Sequence, residues 1–166
     1  MHGAANTPYA LTPTQVGRIA ESLVSAGLTL ASGGRLSCFV PLADDDGTDL
    51  VVVDKATDRL ARIQIKSRRA PEATPGTTQF DLRTTTFRAV ADNWLLCVLL
   101  DAGAGRIWRA WLIPATEVAD VAPPEGGKHM LRPNPSPASR DRYAAFRMEH
   151  LAAVAAALMG DHALAA

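Results

Sequence analysis

Blocks of apolar and polar residues along the chain predict a helix, three strands, a short helix, two strands and a final helix. The first helix begins at Thr12-Pro13-Thr14-Gln15, where Thr is a favoured N-cap, Pro a favoured first residue and Gln a favoured third. Apolar residues then recur at helical spacing at Val16, Ile19, Ala20, Leu23 and Val24. Gly27 marks the predicted end of this helix.

Three strands are predicted next, because apolar runs alternate with turn-forming residues. They cover Arg35 to Val40, Asp49 to Asp54 and Leu60 to Lys66. The Val51-Val52-Val53 run is continuously apolar, which is typical of a strand covered on both faces. Thr84 to Asp92 is predicted to be a short helix.

The second half of the chain predicts a hairpin and a long helix. The hairpin joins Trp94 to Asp101 with Arg106 to Ile113 through a short turn. A proline-rich segment, 122 to 139, predicts an irregular excursion. Arg140 to Met159 is predicted to be a helix, since an apolar stripe recurs at Met148, Leu151, Val154, Ala155 and Leu158.

These elements predict an α/β fold with a central mixed β-sheet of about five strands flanked by helices, because both faces of a sheet need covering. The chain of 166 residues is long enough for one domain with a sizeable core. We expect residues 1–11 to be a flexible leader, 12–160 a single domain and 161–166 a tail.

Composition excludes several classes of protein. Hydrophobic residues are 48% and charged residues 20% of the chain, which is typical of a globular domain. The 17 basic residues balance the 17 acidic ones, so only a local patch is expected to attract nucleic acid. Cys38 and Cys97 lie in apolar runs and the four histidines do not cluster, which disfavours a disulfide framework, a thiol nucleophile or a zinc site. No apolar stretch is long enough for a membrane span, so a cytoplasmic protein is the default expectation.

The stretch "GTDLVVVDKATDRLARIQIKS" contains the candidate chemistry. If its two strands pair as a hairpin, residue i lies opposite residue 113 − i, which places Asp49 opposite Gln64 with Lys66 just beyond. Gln64 and Lys66 share one face because strand side chains alternate. A carboxylate, an amide oxygen and an ammonium group are therefore expected to converge at one end of the hairpin.

This trio suits the hydrolysis of phosphate esters. A carboxylate and an amide oxygen are hard ligands for Mg²⁺, which activates water, and an ammonium group stabilises developing negative charge. Glu21 is the only acid of the first helix and lies at the border of its apolar stripe, so it is a candidate further ligand.

The order of a helix with Glu21, the strand in "GTDLVVVD" and the strand in "ARIQIKSR" resembles the PD-(D/E)XK, or restriction endonuclease-like, superfamily. The resemblance covers residues 13 to 113 best. It is strongest to small prokaryotic members with a Gln-x-Lys step, among them intron-encoded homing endonucleases and resolvase-like proteins. What it implies is cleavage of DNA with Mg²⁺, or Mn²⁺ as an alternative, and pairing of two subunits as a homodimer.

The resemblance also assigns roles to residues. It implies that Asp49, Gln64 and the Ile65 carbonyl hold the metal ion, that Lys66 positions water or stabilises charge, and that Glu21 is an outer ligand. The sequence departs from the common pattern at Gln64, where an acid is usual; the loss of a negative charge weakens the attraction for Mg²⁺. The basic run that follows comprises Ser67, Arg68 and Arg69. It is expected either to contact DNA phosphates or to be a solvated loop.

Two alternatives stay open at this stage. Because of Gln64 and the neutral net charge, the chain could be an inactive nuclease-fold protein that acts as a DNA-binding or protein-interaction module. A more distant alternative is an unrelated α/β domain with a coincidental hairpin. The acidic run Asp44 to Asp46 is expected to be an exposed turn rather than a second metal site.

Overall fold

The computed structural model describes residues 10–43, 46–70 and 78–160. Most of the predicted leader, the whole predicted tail, residues 71–77, and Asp44 and Asp45 lie outside these described residues. The predicted domain boundaries therefore stay predictions.

The first helix, α1, spans Pro13–Ala31 and begins as predicted. The Thr12 hydroxyl accepts a hydrogen bond from the Gln15 amide, and the Gln15 side chain accepts one from the Thr12 amide at 2.9 Å, which is a complete capping box. The predicted end at Gly27 is wrong, because α1 continues for another turn. No helix among the described residues has the length and apolar character that crossing a membrane requires.

Gly27 has a packing role instead of a capping role. A side chain at this position would collide with Leu151 of the last helix, α3, so glycine allows the two helices to approach closely. α3 spans only Leu151–Leu158.

Two β-sheets pack on one another. The large sheet has six strands in the order β1-β2-β3-β5-β6-β9, and the small sheet has three in the order β4-β8-β7. In chain order the strands are β1 Leu36–Phe39, β2 Leu50–Asp54, β3 Arg59–Arg69, β4 Phe80–Arg83, β5 Asn93–Asp101, β6 Arg106–Pro114, β7 Pro124–Glu125, β8 Lys128–Leu131 and β9 Arg147–Met148. Among the described residues, β3 and β5 run parallel and the other strand pairs are antiparallel. The predicted α/β class with a central mixed sheet is confirmed.

The two faces of the large sheet have different covers. α1 and α3 pack on the face that carries Leu50, Ile63 and Leu96. The opposite face, with Leu95 and Cys97, packs against the small sheet and the short helix α2, Val118–Val121. We call these the helix face and the small-sheet face. The small sheet was not predicted, since its strands are only two to four residues long and partly lie in the proline-rich segment.

The helix predicted over Arg140 to Met159 is wrong in its first half. Arg147 and Met148 form β9, which pairs with β6. The Arg147 guanidinium donates to the carbonyls of Ser136 at 3.0 Å and Pro137 at 2.9 Å, so distant backbone groups hold this segment extended. The short helix predicted over Thr84 to Asp92 is also wrong, because this segment forms turns.

A buried ion pair fixes the far end of the hairpin. The Arg35 guanidinium donates two hydrogen bonds of 2.7 Å to the Asp54 carboxylate, which also accepts from Ala56 and Thr57. Arg35, followed by these other donors, holds the pKa of Asp54 well below its usual range. Because the pKa is lower in the folded state, this contribution to stability is present above the unfolded pKa of about 4 and is lost as the pH falls below it.

Cys38 and Cys97 are free thiols in the structure; Cys38 is half-buried and Cys97 is buried. Burial raises the pKa of Cys97 to about 12, so this thiol does not ionise near neutral pH and is not a nucleophile.

Candidate functional site

The predicted register of the hairpin is confirmed. β2 and β3 pair from Leu50 opposite Ile63 to Asp54 opposite Arg59, so each pair sums to 113. β2 begins at Leu50, whereas β3 continues beyond Ile63 to Arg69. The edge of β3 that faces β2 therefore extends past the end of its partner.

The Asp49 carboxylate lies at this edge. Its Oδ2 accepts a hydrogen bond of 2.6 Å from the Ile65 amide, and the Asp49 amide donates to the Ile63 carbonyl at 3.0 Å. The side chain thus takes the position where the next residue of β2 would pair with β3. A short bond from a backbone N–H to a carboxylate fixes the orientation of that carboxylate.

The Ile65 carbonyl turns toward the same side as the Asp49 carboxylate. Arg62 and Ala70 donate their amides to Asp92 and Leu100 on the β5 side of β3. Backbone groups of a strand alternate in direction, so the even-numbered residues of β3 face β5 and Ile65 faces the β2 side. Two oxygen donors, a carboxylate and a carbonyl, are therefore directed to one edge.

Glu21 joins Asp49 in a surface pocket of about 270 Å³. The Glu21 side chain is 21% exposed and pairs with Arg18, whose side chain is 73% exposed, at 2.9 Å. An ion pair with so exposed an arginine contributes little to stability. The structure thus brings together two of the predicted acids, one from α1 and one from the hairpin.

Gln64 lies in a different pocket. Its side chain is on the small-sheet face, 8% exposed, and lines a cavity of about 20 Å³ with Thr48, Asn93 and other residues of the 86–94 segment. Thr48 lines both this cavity and the pocket of Glu21 and Asp49. The amide of Gln64 is therefore a neighbour of that pocket but does not line it.

The Gln64 Oε1 atom is buried and has no hydrogen-bond partner among the described residues. A buried acceptor without a hydrogen-bond partner lowers the stability of the fold. A water molecule or a cation bound at this oxygen would remove that cost. A cavity of about 20 Å³ is sufficient for one water molecule.

Gly47 shapes the surroundings of Gln64. Its φ is +74°, and a Cβ at this position would collide with the Thr86 carbonyl oxygen and lie 3.1 Å from Gln64 Nε2. Glycine is needed here both for the backbone conformation and for space.

We expect Gly47→Ala to lower the free energy of unfolding by more than the ~1–2 kcal/mol that a left-handed alanine costs, because a backbone collision is added. The matched control is Gly33→Ala, since Gly33 has a φ of +59° and open space around it. Urea denaturation of both variants checks this. If both variants lose the same free energy of unfolding, the collision expected at Gly47 does not affect stability.

Lys66 lies on the same face of β3 as Gln64, beside Cys97 of β5. It is half-buried, and no carboxylate of the described residues pairs with it. An ammonium group without an acidic partner is available to a negatively charged ligand.

The basic run after Lys66 is part of β3 and not a solvated loop. Ser67 is half-buried, whereas Arg68 and Arg69 are exposed. The Arg68 guanidinium reaches the small sheet, where its Nε donates to the Gln79 carbonyl at 3.2 Å. Arg69 lines a pocket at the end of the large sheet with Arg106 and Trp108.

Several residues of the pocket were missed from the sequence. Thr14, Gly17 and Arg18 line it beside Glu21, and they recur at the three- and four-residue spacing of one helix face. That periodicity was available in the sequence. Thr48, which lies between the two pockets, carries no comparable pattern.

The comparisons with known proteins concern the fold. No protein-family model and no curated protein matches this chain. Among solved structures, the chain is similar to a bacterial homing endonuclease, I-Ssp6803I, with a TM-score of 0.57 and 20% sequence identity. The match covers 93% of this chain and 96% of that chain. The two chains therefore share a fold over nearly their whole lengths.

Proposed function

We propose that this chain is a metal-dependent DNA endonuclease of the PD-(D/E)XK type. It hydrolyses phosphodiester bonds at the edge of β3, with Asp49, Gln64, Lys66 and Glu21 as its site residues. The fold shared with a homing endonuclease supports the proposal. A pair of subunits, each cutting one strand, belongs to the same proposal.

One observation carries the proposal: the Asp49 carboxylate is fixed by the Ile65 amide at 2.6 Å, at the point where β2 ends and β3 continues. An acid held in this way in a strand position cannot be explained by turn formation alone. Asp49 also lines the pocket that Glu21 lines.

The residues present fit a hard divalent cation. Asp49 and the Ile65 carbonyl are oxygen donors at one edge, and in the adjoining cavity Gln64 Oε1 is a buried oxygen that lacks a partner among the described residues. Oxygen donors of this kind are those that Mg²⁺ prefers, and Mn²⁺ accepts them as well. Within the described part of the chain no three acidic, histidine or cysteine side chains form a cluster, so neutral oxygens would have to complete the site. When bound, such an ion supplies Lewis-acid chemistry: it polarises the phosphate and acidifies water.

The protein groups have separate tasks in this proposal. Asp49 and Glu21 provide the negative charge that attracts a cation. Lys66 lies two residues from Gln64 on the same face of β3, and its role is to offset the negative charge that develops on the phosphate, which is most effective where water is partly excluded. The Ile65 amide keeps Asp49 in place, so that no reorganisation is needed when substrate arrives.

The test is a cleavage and nicking assay on supercoiled plasmid and on branched DNA with Mg²⁺, with Mn²⁺ and with EDTA. We expect cleavage with either metal and none with EDTA. A purified wild-type protein that neither nicks nor linearises DNA at any metal concentration would refute the endonuclease.

The second candidate is a nuclease-fold protein that binds DNA without cutting it. The observation that favours it is that Gln64 lies in a separate cavity. The pocket beside α1 then holds two of the candidate ligands, the carboxylates of Glu21 and Asp49. Binding of DNA without cleavage in the same assay would select this alternative.

A further inference from the structure

Two arginines from distant parts of the chain meet at Gln79. Arg68 on β3 donates from its Nε to the Gln79 carbonyl at 3.2 Å, and Arg132, just after β8, donates from its Nε to Gln79 Oε1 at 2.9 Å. The Gln79 side chain is itself oriented by Asp81, whose Oδ1 accepts from Gln79 Nε2 at 2.8 Å. We call Arg68 and Arg132 the arginine pair.

The outer nitrogens of the arginine pair are available for a ligand. Both arginines are exposed. Their other contacts are long: Arg68 Nη1 lies 3.4 Å from the Ser67 carbonyl, and Arg132 Nη2 lies 3.9 Å from the Met130 sulfur. Each guanidinium uses its Nε in the contact with Gln79 and has further N–H donors, which can bind phosphate oxygens.

Some arginines of the molecule pair with carboxylates. Arg18, Arg35 and Arg106 each pair with one acid, and Arg109 and Arg147 share Glu149. Neither member of the arginine pair forms an ion pair with an acid of the described residues. Asp81 is the acid of this network, and its carboxylate accepts from the Gln79 side-chain amide.

The arginine pair continues a line of positive charge from the candidate site. Lys66 and Arg68 are two residues apart on one strand, so they share the small-sheet face at a separation of about 7 Å. Arg132 extends the line onto the small sheet. A polyanion with charges along its length would contact all three groups, whereas a small anion would contact only one end.

We propose that the arginine pair binds backbone phosphates of the DNA that is cut at the β3 edge, with Gln79 as a positioning residue for both guanidinium groups. The inference rests on the proposed function, since it names where the substrate backbone runs beyond the site. Arg132 was not a candidate from the sequence, and Gln79 had no assigned role.

The test is DNA binding measured by fluorescence anisotropy in EDTA, where no metal-dependent cleavage occurs, over a series of KCl concentrations. Arg68→Ala and Arg132→Ala are each expected to lower the slope of log K against log [KCl] by about 1, and the double variant by about 2. Affinity is expected to weaken to the same extent on unrelated duplex sequences, because phosphates carry no sequence information.

The matched control is Arg59→Ala, an exposed arginine at the other end of β3, roughly 30 Å from Arg68 along the strand. It should leave the slope unchanged. The double variant to Lys retains both charges and is expected to keep most of the wild-type slope, which separates loss of charge from loss of folding. Should an alanine variant fold poorly by circular dichroism, Arg68→Gln and Arg132→Gln replace it.

A wild-type slope in the double alanine variant overturns the inference, as does a loss of affinity confined to one DNA sequence. Neither result contradicts the proposed endonuclease activity if the wild-type protein still cuts DNA. Absence of any DNA binding by the wild-type protein removes both the inference and the proposed function.

Discussion

Lys66→Ala is expected to lower the rate of DNA cleavage by about a hundredfold to a thousandfold, the usual cost of removing one group that stabilises transition-state charge. Lys66 is half-buried on β3, next to the site, and has no carboxylate partner among the described residues. In the proposed function its charge acts on the DNA phosphate and not on a neighbouring acid. Single-turnover cleavage of supercoiled plasmid, with protein in excess, measures the chemical step without differences in affinity.

The control for this result is Lys55→Ala. Lys55 is an exposed lysine in the turn after β2, so its removal changes the net charge equally. We expect its cleavage rate to stay close to that of the wild type. If Lys66→Ala cuts at the wild-type rate, Lys66 has no part in catalysis; cleavage that also survives loss of Asp49 indicates a contaminating nuclease.

Asp49→Asn is expected to reduce cleavage at least about a hundredfold and to weaken metal binding. The asparagine oxygen can still accept the Ile65 amide hydrogen, so the hairpin keeps its geometry while the charge that attracts a cation is lost. Cleavage rates over a range of Mg²⁺ and Mn²⁺ concentrations, together with calorimetric titration of Mn²⁺ without DNA, measure the two effects separately.

Asp120→Asn, which removes an exposed acid of α2, is the matched control and should change neither quantity. An Asp49→Asn protein with the metal affinity of the wild type would contradict a role in metal binding, even if cleavage were lost. Circular dichroism and thermal melting of both variants check that the fold is intact.

The parts of the fold that were predicted correctly depend on neighbouring residues. The start of α1 follows from Thr12 and Gln15, which satisfy one another's backbone groups within a single turn. The register of β2 and β3 follows from the short turn between them, because strands joined in this way can pair in few registers. The position of Asp49 at the end of the pairing was thereby determined.

The parts that were missed depend on partners far away in the chain. Glycine is a common residue at the C-terminal end of a helix. Gly27 instead packs against Leu151, and α1 continues past it. The apolar spacing around Met148 suits a helix, but pairing with β6 and the hold of Arg147 on distant carbonyls make the segment extended. Local propensity is worth less than the sum of such tertiary contacts.

The sequence by itself determined the start of α1, the mixed α/β class and the register of the β2–β3 hairpin, and it singled out Asp49, Gln64, Lys66 and Glu21 as candidates. Only the tertiary structure decided how those residues are grouped: Glu21 shares a pocket with Asp49, Gln64 lies in the adjoining cavity, and Lys66 lies on the small-sheet face. Only the tertiary structure brings Arg68 and Arg132 together, through their contacts with Gln79. The physical reason is that spacing along a strand fixes which side chains share a face, whereas the helix or sheet that covers each face is chosen by the packing of the whole chain.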